Sequence, residues 1–279
     1  MTHAPQTVLC IHDLPGYGRA GLSVIVPVLS ALGVQAVALP TSVLSTHTGG
    51  LGTPAKLSNP AYGPAALEHY RRLGAKFDCI YSGYLADVSQ VHLVEQAFEF
   101  WPDARKVVDP VMGDNGRMYR GLSSELVPAL YTLCAKADII LPNMTEAALL
   151  LGQPLPGITP DLPPEEAAAQ ASMLTRICPQ ALVTGVPAGR SILCAGASRS
   201  GESYTVKTPL VPRMFHGTGD IFGAVFVGRL LQGNVPQAAA QAAAAFVGDC
   251  LRATPDGVDE RLGVWLEAVL PRLSQSVCD

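Results

Sequence analysis

The chain has 279 residues, of which 48% are hydrophobic and 15% charged, and its formal net charge is −4 at pH 7. A chain of this length buries roughly 75% of the surface that its unfolded form exposes, so it can build one large core. The acidic balance argues against broad binding of nucleic acid or of an anionic membrane, since both need basic surface. No stretch predicts a membrane span or a signal peptide, and the seven scattered cysteines lack a C-x-x-C pair. We therefore expect a cytoplasmic protein without disulfides.

Short apolar runs alternate with helical patterns along the whole chain. Strands are predicted at 7–12, 35–39, 77–81, 105–109, 138–141, 180–185, 190–195 and 203–207. Helices are predicted at 21–32, 60–73, 88–100, 123–135, 144–151, 163–176, 218–232, 236–252 and 258–273. This alternation predicts an α/β fold with a mostly parallel central sheet, helices on both faces and an antiparallel edge formed by the last three strands. We expect a single domain over 1–279, with the Pro-rich stretch 153–164 as a surface loop.

A glycine motif follows the first predicted strand. Gly16, Gly18 and Gly21 match G-x-G-x-x-G before a predicted helix, which is a feature of dinucleotide-binding folds. Such a site also needs an acidic residue about 20 residues further on to bind the ribose. The second predicted strand leads into Pro40-Thr41-Ser42 and offers no acid there. A dehydrogenase that uses NAD is therefore disfavoured, and the glycines more simply allow close approach of the backbone to a substrate or a helix.

A second glycine motif precedes a long apolar helix. Gly217-Thr218-Gly219-Asp220 would place several unpaired backbone N–H groups at the helix N-terminus, where the helix dipole also favours an anion. Asp220 has two interpretations at this position. It is either an acid that stabilises the first turn of the helix or a general base beside a phosphoryl group that is being transferred.

Acidic residues follow two further predicted strands. Asp109 and Asp114 lie in Asp-Pro-Val-Met-Gly-Asp, and Glu146 lies in Pro-Asn-Met-Thr-Glu, which opens a helix. Carboxylates at strand ends suit Mg²⁺, although a simple turn or a first-turn acid would explain each motif separately. Together with an anion-binding helix N-terminus they indicate phosphoryl transfer, in a protein that lacks the P-loop motif G-x-x-x-x-G-K-[ST].

These motifs in this order resemble the ribokinase-like superfamily, and most closely its pyridoxal/pyridoxamine kinases. The resemblance covers nearly the whole chain and includes the following segments: 11–13, Gly18 and Gly21, 45–49, 82–84, 109–114, 142–146, 183–185 and 217–220. It implies ATP-dependent phosphorylation of the 5′-hydroxymethyl group of a B6 vitamer, Mg²⁺ and a candidate monovalent cation as cofactors, and a homodimer. ATP and a small aromatic alcohol are the implied partners, without nucleic acid or membrane.

The resemblance also implies a role for particular residues. Asp220 would be the catalytic base, and Gly217, Thr218 and Gly219 would form the anion hole. The substrate would contact Asp13, His47, Thr48 and Tyr84, and ATP would contact Asp114, Asn143, Thr184 and Tyr119. Asp109 and Glu146 would hold the metal, and a loop at about 113–121 would cover the substrates.

The sequence departs from the family pattern at positions that affect substrate choice. Asp13 stands where many pyridoxal kinases have a Ser, so its carboxylate either faces the ring nitrogen of the vitamer or forms a turn with Leu14-Pro15-Gly16. Leu141 replaces a common Thr before Pro142-Asn143. His216 is similar to a residue of hydroxymethylpyrimidine kinases, which leaves hydroxymethylpyrimidine (phosphate) kinase as an alternative activity. A non-catalytic vitamer-binding protein is an alternative of another class.

Overall fold

The computed structural model describes residues 4–119, 121–156 and 163–275. The strands are β1 Thr7–Tyr17, β2 Gln35–Thr46, β3 Lys56–Leu57, β4 Cys79–Ser82, β5 Arg105–Val108, β6 Gly113–Asp114, β7 Arg117–Met118, β8 Ile139–Ile140, β9 Gln180–Ala188, β10 Ser191–Ser198 and β11 Ser203–Pro209. Nine of these strands form one sheet in the order β11-β10-β9-β8-β5-β4-β1-β2-β3, and β6 and β7 form a separate hairpin.

Helices cover both faces of this sheet. They are α1 Leu22–Ala31, α2 Tyr62–Arg72, α3 Val88–Phe100, α4 Leu126–Ala135, α5 Met144–Leu151, α6 Pro164–Leu174, α7 Thr218–Leu231, α8 Pro236–Ala253 and α9 Pro271–Gln275. One hydrophobic core contains α2 to α6, and the other contains α1, α7, α8 and α9. Neighbouring residues of β1 enter opposite cores, because successive side chains of a strand point to opposite faces: Leu9 and Ile11 enter the first core, and Val8 and Cys10 the second.

The central strands are parallel, as the sequence predicts. β2, β1, β4, β5, β8 and β9 pair in parallel, and β9, β10 and β11 then form the predicted antiparallel edge. The carboxyl ends of the parallel strands therefore meet along one edge of the sheet, which is where ligands bind in folds of this kind. The short strand β3 pairs antiparallel to β2 and was not predicted.

The first strand is longer than the sequence suggests. β1 continues through the predicted turn at 13–16, with Pro15 paired to Leu44 and Tyr17 paired to Thr46. Thr41 and Ser42 of β2 together lie opposite the single residue Asp13, which is a β-bulge. The turn interpretation of Asp13 is therefore wrong, because this residue is held inside a paired strand.

Two other predicted segments differ from the structure. The helix predicted at 258–273 is wrong: a 3-10 turn at Glu260–Leu262 is followed by irregular chain before α9. The loop at about 113–121 contains a tight hairpin, in which Asn115 and Gly116 have φ of 51° and 70° between β6 and β7. Two successive residues with positive φ are typical of the type I′ turn that suits a hairpin. Residue 120 and residues 157–162 of the predicted loop 153–164 lie outside the described residues.

Two further observations concern composition. In the described ranges, no helix has both the length and the apolar character needed to cross a bilayer. Six cysteines fall within those ranges, and all six are buried free thiols. Burial raises the pKa of Cys194 to about 12, so this thiol stays protonated at neutral pH and acts as a small apolar side chain.

Candidate active site

The N-terminus of α7 lies at the carboxyl edge of the sheet and presents unpaired donors. Gly217 caps the helix in the left-handed conformation, with φ 79° and ψ 0°. The carbonyl of Arg19 occupies the space where a Cβ of residue 217 would lie, so only glycine fits. Within the described part of the chain, the backbone N–H groups of Gly217, Thr218 and Gly219 donate no hydrogen bond. The structure thus has free donors at the positive end of a helix dipole, an arrangement that favours an anion.

Asp220 lies in the first turn of α7 and faces the loop after β1. Its Oδ2 accepts a hydrogen bond from the N–H of Gly21 at 2.8 Å. Burial raises the pKa of Asp220 above its ordinary value, although the hydrogen bond from Gly21 opposes this shift. A raised pKa makes the carboxylate a better proton acceptor at neutral pH, which suits a general base.

Gly21 brings a second carboxylate close to Asp220. A Cβ on residue 21 would lie 2.7 Å from Oδ1 of Asp13, so the segments around these two residues are in contact. Burial, followed by the charge of Asp220, raises the pKa of Asp13 to about 7. These contacts account for the third glycine of the first motif without a dinucleotide.

A capping box orders the polar residues at the start of α5. The side-chain oxygen of Asn143 accepts from the N–H of Glu146 at 3.0 Å, and Oε2 of Glu146 accepts from the N–H of Asn143 at 2.9 Å. Oε1 of Glu146 accepts from the N–H of Met112 at 3.0 Å. Glu146 is only 2% exposed. The first-turn interpretation of Glu146 therefore holds, and the same carboxylate anchors the segment that leaves β5.

The hairpin β6–β7 docks on this helix start. The amide nitrogen of Asn143 donates to the carbonyl of Gly113 at 2.8 Å, and the hydroxyl of Thr145 accepts from the N–H of Gly116 at 2.9 Å. Asp114 is exposed and accepts from the N–H of Asn115 at 2.7 Å. Tyr119 follows the hairpin and is 41% exposed.

Thr184 reaches the same edge from β9. It forms a parallel bridge with Asn143, and its N–H donates to the carbonyl of Pro142 at 2.9 Å. The sequence predicts that this strand ends at residue 185, but in the structure it continues to Ala188, past Gly185, whose φ is 68°. An extra residue of β9 lies between Val183 and Val186 opposite β10, so Thr184 and Gly185 form a bulge.

Asp109 is the residue best suited to hold a hard cation. Its carboxylate accepts no hydrogen bond within the described residues. Burial, followed by the charges of Glu146 and Asp220, raises its pKa. In the part of the chain that the structure describes, no three His, Cys, Asp or Glu side chains could enclose a metal by themselves. Mg²⁺ keeps several of its waters and accepts such a sparse set of carboxylate oxygens, so these residues fit the ion.

The predicted substrate contacts lie around the end of β1. His47 is buried, and both ring nitrogens are already used: Nδ1 accepts from the N–H of Gly49 at 3.0 Å, and Nε2 bonds to the carbonyl of Arg261. A polar contact from His47 to a substrate is therefore not available in this structure. Thr48 is exposed, whereas Tyr84 is half-buried and near Asp13, whose charge adds to burial in raising the pKa of Tyr84.

Sequence reasoning gave no role to two buried polar residues next to the site, His12 and Tyr81. His12 is 0% exposed, and neither ring nitrogen has a hydrogen-bond partner within the described residues. Its ring packs edge-on against Tyr81 at a centroid distance of 4.5 Å. Burial lowers the pKa of His12 to about 3, so the ring is neutral at physiological pH. The available signal was the apolar run before His12, since both faces of such a strand are buried.

A doubly covered parallel sheet with a free helix N-terminus and buried carboxylates at its carboxyl edge defines a phosphotransferase of the ribokinase-like fold. The chain belongs to the phosphomethylpyrimidine kinase family, whose model matches residues 17–263.

Several relatives are named pyridoxal kinases. The chain is 30% identical to the pyridoxal kinase PdxY of Burkholderia mallei over 271 residues, covering 90% of this chain and 89% of that protein. It is similar to the crystal structure of pyridoxal kinase from Lactobacillus plantarum, with a TM-score of 0.89, 33% identity and 98% of each chain covered. A Bacteroides thetaiotaomicron protein assigned as a phosphomethylpyrimidine kinase was crystallised with pyridoxal. It gives a TM-score of 0.89 with 34% identity over 96% of each chain.

Proposed function

We propose that this protein transfers the γ-phosphoryl group of ATP to the 5′-hydroxymethyl group of a B6 vitamer, in salvage of pyridoxal phosphate. The observation that carries the proposal is the pairing of free N–H donors at Gly217–Gly219 with the half-buried carboxylate of Asp220. The donors can stabilise charge on the transferred group, while the carboxylate accepts the proton of the attacking hydroxyl.

The remaining residues would orient the two substrates. Asp114, Asn143, Thr184 and Tyr119 lie on or beside the docked hairpin and the capping box, and there they could contact ATP. Asp109 would hold Mg²⁺ through its water ligands, with Glu146 behind it. When bound, the ion neutralises phosphate charge as the phosphoryl group moves. Aligning the hydroxyl with the γ-phosphorus supplies much of the remaining acceleration.

The vitamer would bind at the end of β1. Asp13 is buried, and no other described residue donates a hydrogen bond to its carboxylate. A protonated pyridine nitrogen would supply that missing donor. Tyr84 lies near this carboxylate, and Thr48 would also contact the vitamer. The Bacteroides relative that was crystallised with pyridoxal supports a vitamer as the substrate.

Hydroxymethylpyrimidine phosphorylation is the second candidate. It is favoured by the family that the chain matches and by His216 directly before the anion hole. A single assay separates the candidates: the purified protein is mixed with Mg-ATP and either pyridoxal, pyridoxamine, pyridoxine or hydroxymethylpyrimidine, and ADP is measured. We expect vitamer-dependent ADP release. ADP release with hydroxymethylpyrimidine alone would support the second candidate, and binding of a vitamer without ADP release would support the non-catalytic alternative.

Three further features complete the proposal. The segment at about 113–121 would cover the substrates and exclude water that would otherwise hydrolyse ATP. A homodimer is supported by exposed apolar side chains at one sheet edge, where Tyr17, Val43 and Leu57 are 62%, 39% and 69% exposed; sedimentation velocity measures it. A cytoplasmic location and a monovalent-cation requirement stay predictions, tested by fractionation and by assays in Na⁺ and K⁺ buffers.

A further inference from the structure

Residues 259–263 lie against three loops of the site, and we call this segment the clasp. It contains the 3-10 turn where the sequence predicts part of a long helix. The N–H of Arg19, in the loop after β1, donates to the carbonyl of Leu262 at 3.0 Å. The N–H of His216, directly before the anion hole, donates to the carbonyl of Glu260 at 3.4 Å. The clasp thus contacts both the vitamer side and the anion hole.

His47 joins the clasp to the third loop, which follows β2. Because Nδ1 of His47 accepts from the N–H of Gly49, the proton of the neutral ring lies on Nε2. Nε2 therefore donates to the carbonyl of Arg261. With His47 only 6% exposed, water competes little for either hydrogen bond. The ring fixes the distance between the loop 47–50 and the clasp.

The side chain of Arg261 holds the clasp in this shape. Its Nη2 lies 2.7 Å from Oδ2 of Asp259 and its Nε lies 2.9 Å from Oδ1, a two-point contact that fixes orientation as well as distance. Nη1 donates to the carbonyl of Gly50 at 3.2 Å. The carbon chain of Arg261 also packs on Gly50, where a Cβ would lie 3.3 Å from its Cδ. One side chain therefore connects the clasp to the loop 47–50 independently of His47.

We propose that Arg261 is a positioning residue, which acts through the clasp to hold the vitamer-side loops 18–21 and 47–50 against the anion hole. Contact between Arg19 and Gly217 makes this coupling direct, because the carbonyl of Arg19 fills the space beside the Cα of Gly217. A shift of the loop 18–21 would therefore move the anion hole relative to the bound hydroxyl. The identity of the substrate rests on the proposed function, whereas the coupling of the loops does not.

The matched experiment compares Arg261→Gln with Arg71→Gln. Both arginines form exposed ion pairs, with side chains 54% and 57% exposed and partners 38% and 41% exposed. Arg71 lies in the last turn of α2, which leads into the start of β4 and therefore lies away from the carboxyl edge where the site is. In Arg261→Gln we expect KM for pyridoxal to rise about five- to tenfold and kcat to fall several-fold, because misplaced groups lose rate steeply. KM for ATP should change by less than about twofold, and Arg71→Gln should match the wild type in every constant.

Arg261→Lys gives a graded test. It keeps a charge opposite Asp259 but loses the two-point contact, so its KM for pyridoxal should lie between those of Arg261→Gln and the wild type. Asp259→Asn removes the charge from the other side and should resemble Arg261→Lys. Equal KM values in the wild type and all three clasp variants would overturn the proposal.

Hydrogen–deuterium exchange without substrates tests the coupling separately from catalysis. In Arg261→Gln the amides of 17–22 and 46–52 should exchange at least about threefold faster, while those of 69–72 keep their rates. Unchanged exchange rates in the two loops would overturn the proposed role of Arg261, even if KM for pyridoxal rises. If the wild type phosphorylates no vitamer, the proposed function fails while the exchange result still decides the role of Arg261.

Discussion

The two sides of the active site satisfy their polar groups in opposite ways. On the ATP side, Glu146 and Asn143 bond to each other and to the segment 112–116, so that each polar atom already has a protein partner. On the proposed vitamer side, the described residues offer no hydrogen-bond partner to either ring nitrogen of His12, and none of them except Asp13 itself can donate to the carboxylate of Asp13. Because burying an unpaired polar group costs free energy, the second arrangement indicates a surface that a ligand completes. In the proposed function, one side is preformed and the substrate would complete the other.

The largest expected effect lies at Asp220, which separates the two sides. Asp220→Asn keeps an oxygen that can accept from the N–H of Gly21, so the fold should persist. The amide cannot take a proton, and kcat should fall about 10²- to 10⁴-fold with KM for ATP nearly unchanged. Steady-state kinetics with pyridoxal and an unfolding temperature check both points. Near-normal kcat would mean that Asp220 only stabilises the first turn of α7.

Because the carboxylate of Asp13 is buried without a partner from another described residue, the free energy of unfolding should depend on pH. The folded pKa of Asp13 is about 7, above its ordinary value of 3.8, so the folded state favours the protonated form. Stability from this group is therefore full below about pH 4 and is lost as the pH rises through about 7. Relative to Asp13→Asn, the wild type without ligand should lose roughly 4 kcal/mol of unfolding free energy across that window.

Denaturant titrations at several pH values measure this difference. Titrating groups far from Asp13 are shared by both proteins and cancel, whereas Asp220 and Tyr84 interact with Asp13, so the difference includes this coupling. Unfolding free energies that stay parallel from pH 4 to pH 8 would show that the environment of Asp13 does not shift its pKa.

Asp13 also allows a test of the difference between the two sides in the presence of substrate. Asp13→Ser and Asp13→Ala remove the proposed partner of the ring nitrogen, so kcat/KM for pyridoxal should fall at least about tenfold, and further in Ala. KM for ATP should stay constant, because the ATP side does not use Asp13. Unchanged kcat/KM for every vitamer, combined with a lower unfolding temperature, would leave Asp13 with a structural role only.

The smallest expected effect concerns the metal. Asp109→Asn should raise the Mg²⁺ concentration for half-maximal activity by about three- to tenfold without loss of stability, since no described residue bonds to its carboxylate. Glu146→Gln should raise it too, but should also lower the unfolding temperature, because an amide NH₂ would face the N–H of Met112 or Asn143. Magnesium titrations and thermal melts measure both. If the two variants give the same Mg²⁺ requirement and the same unfolding temperature, Asp109 and Glu146 do not differ in the way proposed, with Asp109 acting only on the metal and Glu146 also on stability.

Much of the fold could be predicted because its strands are buried on both faces. Val8-Leu9-Cys10-Ile11 is apolar throughout, and such a run between helical patterns indicates a parallel strand. The end of β1 was missed because Pro15 and Gly16 favour a turn, whereas pairing with β2 keeps them extended. Helix propensity also gave a wrong prediction for 258–273. Contacts with distant loops determine the backbone conformation there, and Gly263 adopts φ 79°.

The site was predictable where its chemistry is local. A glycine motif before a helix places N–H donors regardless of the rest of the chain, and Asn143-x-x-Glu146 is the pattern of a capping box. The pair Asn115-Gly116 is typical of a hairpin turn, although the sequence analysis interpreted this segment only as a loop. The bond of His47 to the carbonyl of Arg261 could not be predicted, since nothing near residue 47 indicates a contact with a residue so distant in the chain.

The hydrogen bond between Arg19 and Leu262 has a consequence for how the protein is made. A ribosome releases the residues of β1 long before those of the clasp, so the hydrogen bond that ties the loop after β1 to the clasp can form only when the clasp is present. The sheet and most of its helices can form around nearer contacts, while the site depends on the most distant ones, which close late because of their entropy cost. A nascent chain would therefore have most of its core before its anion hole is complete, and phosphoryl transfer would begin only after the clasp has emerged.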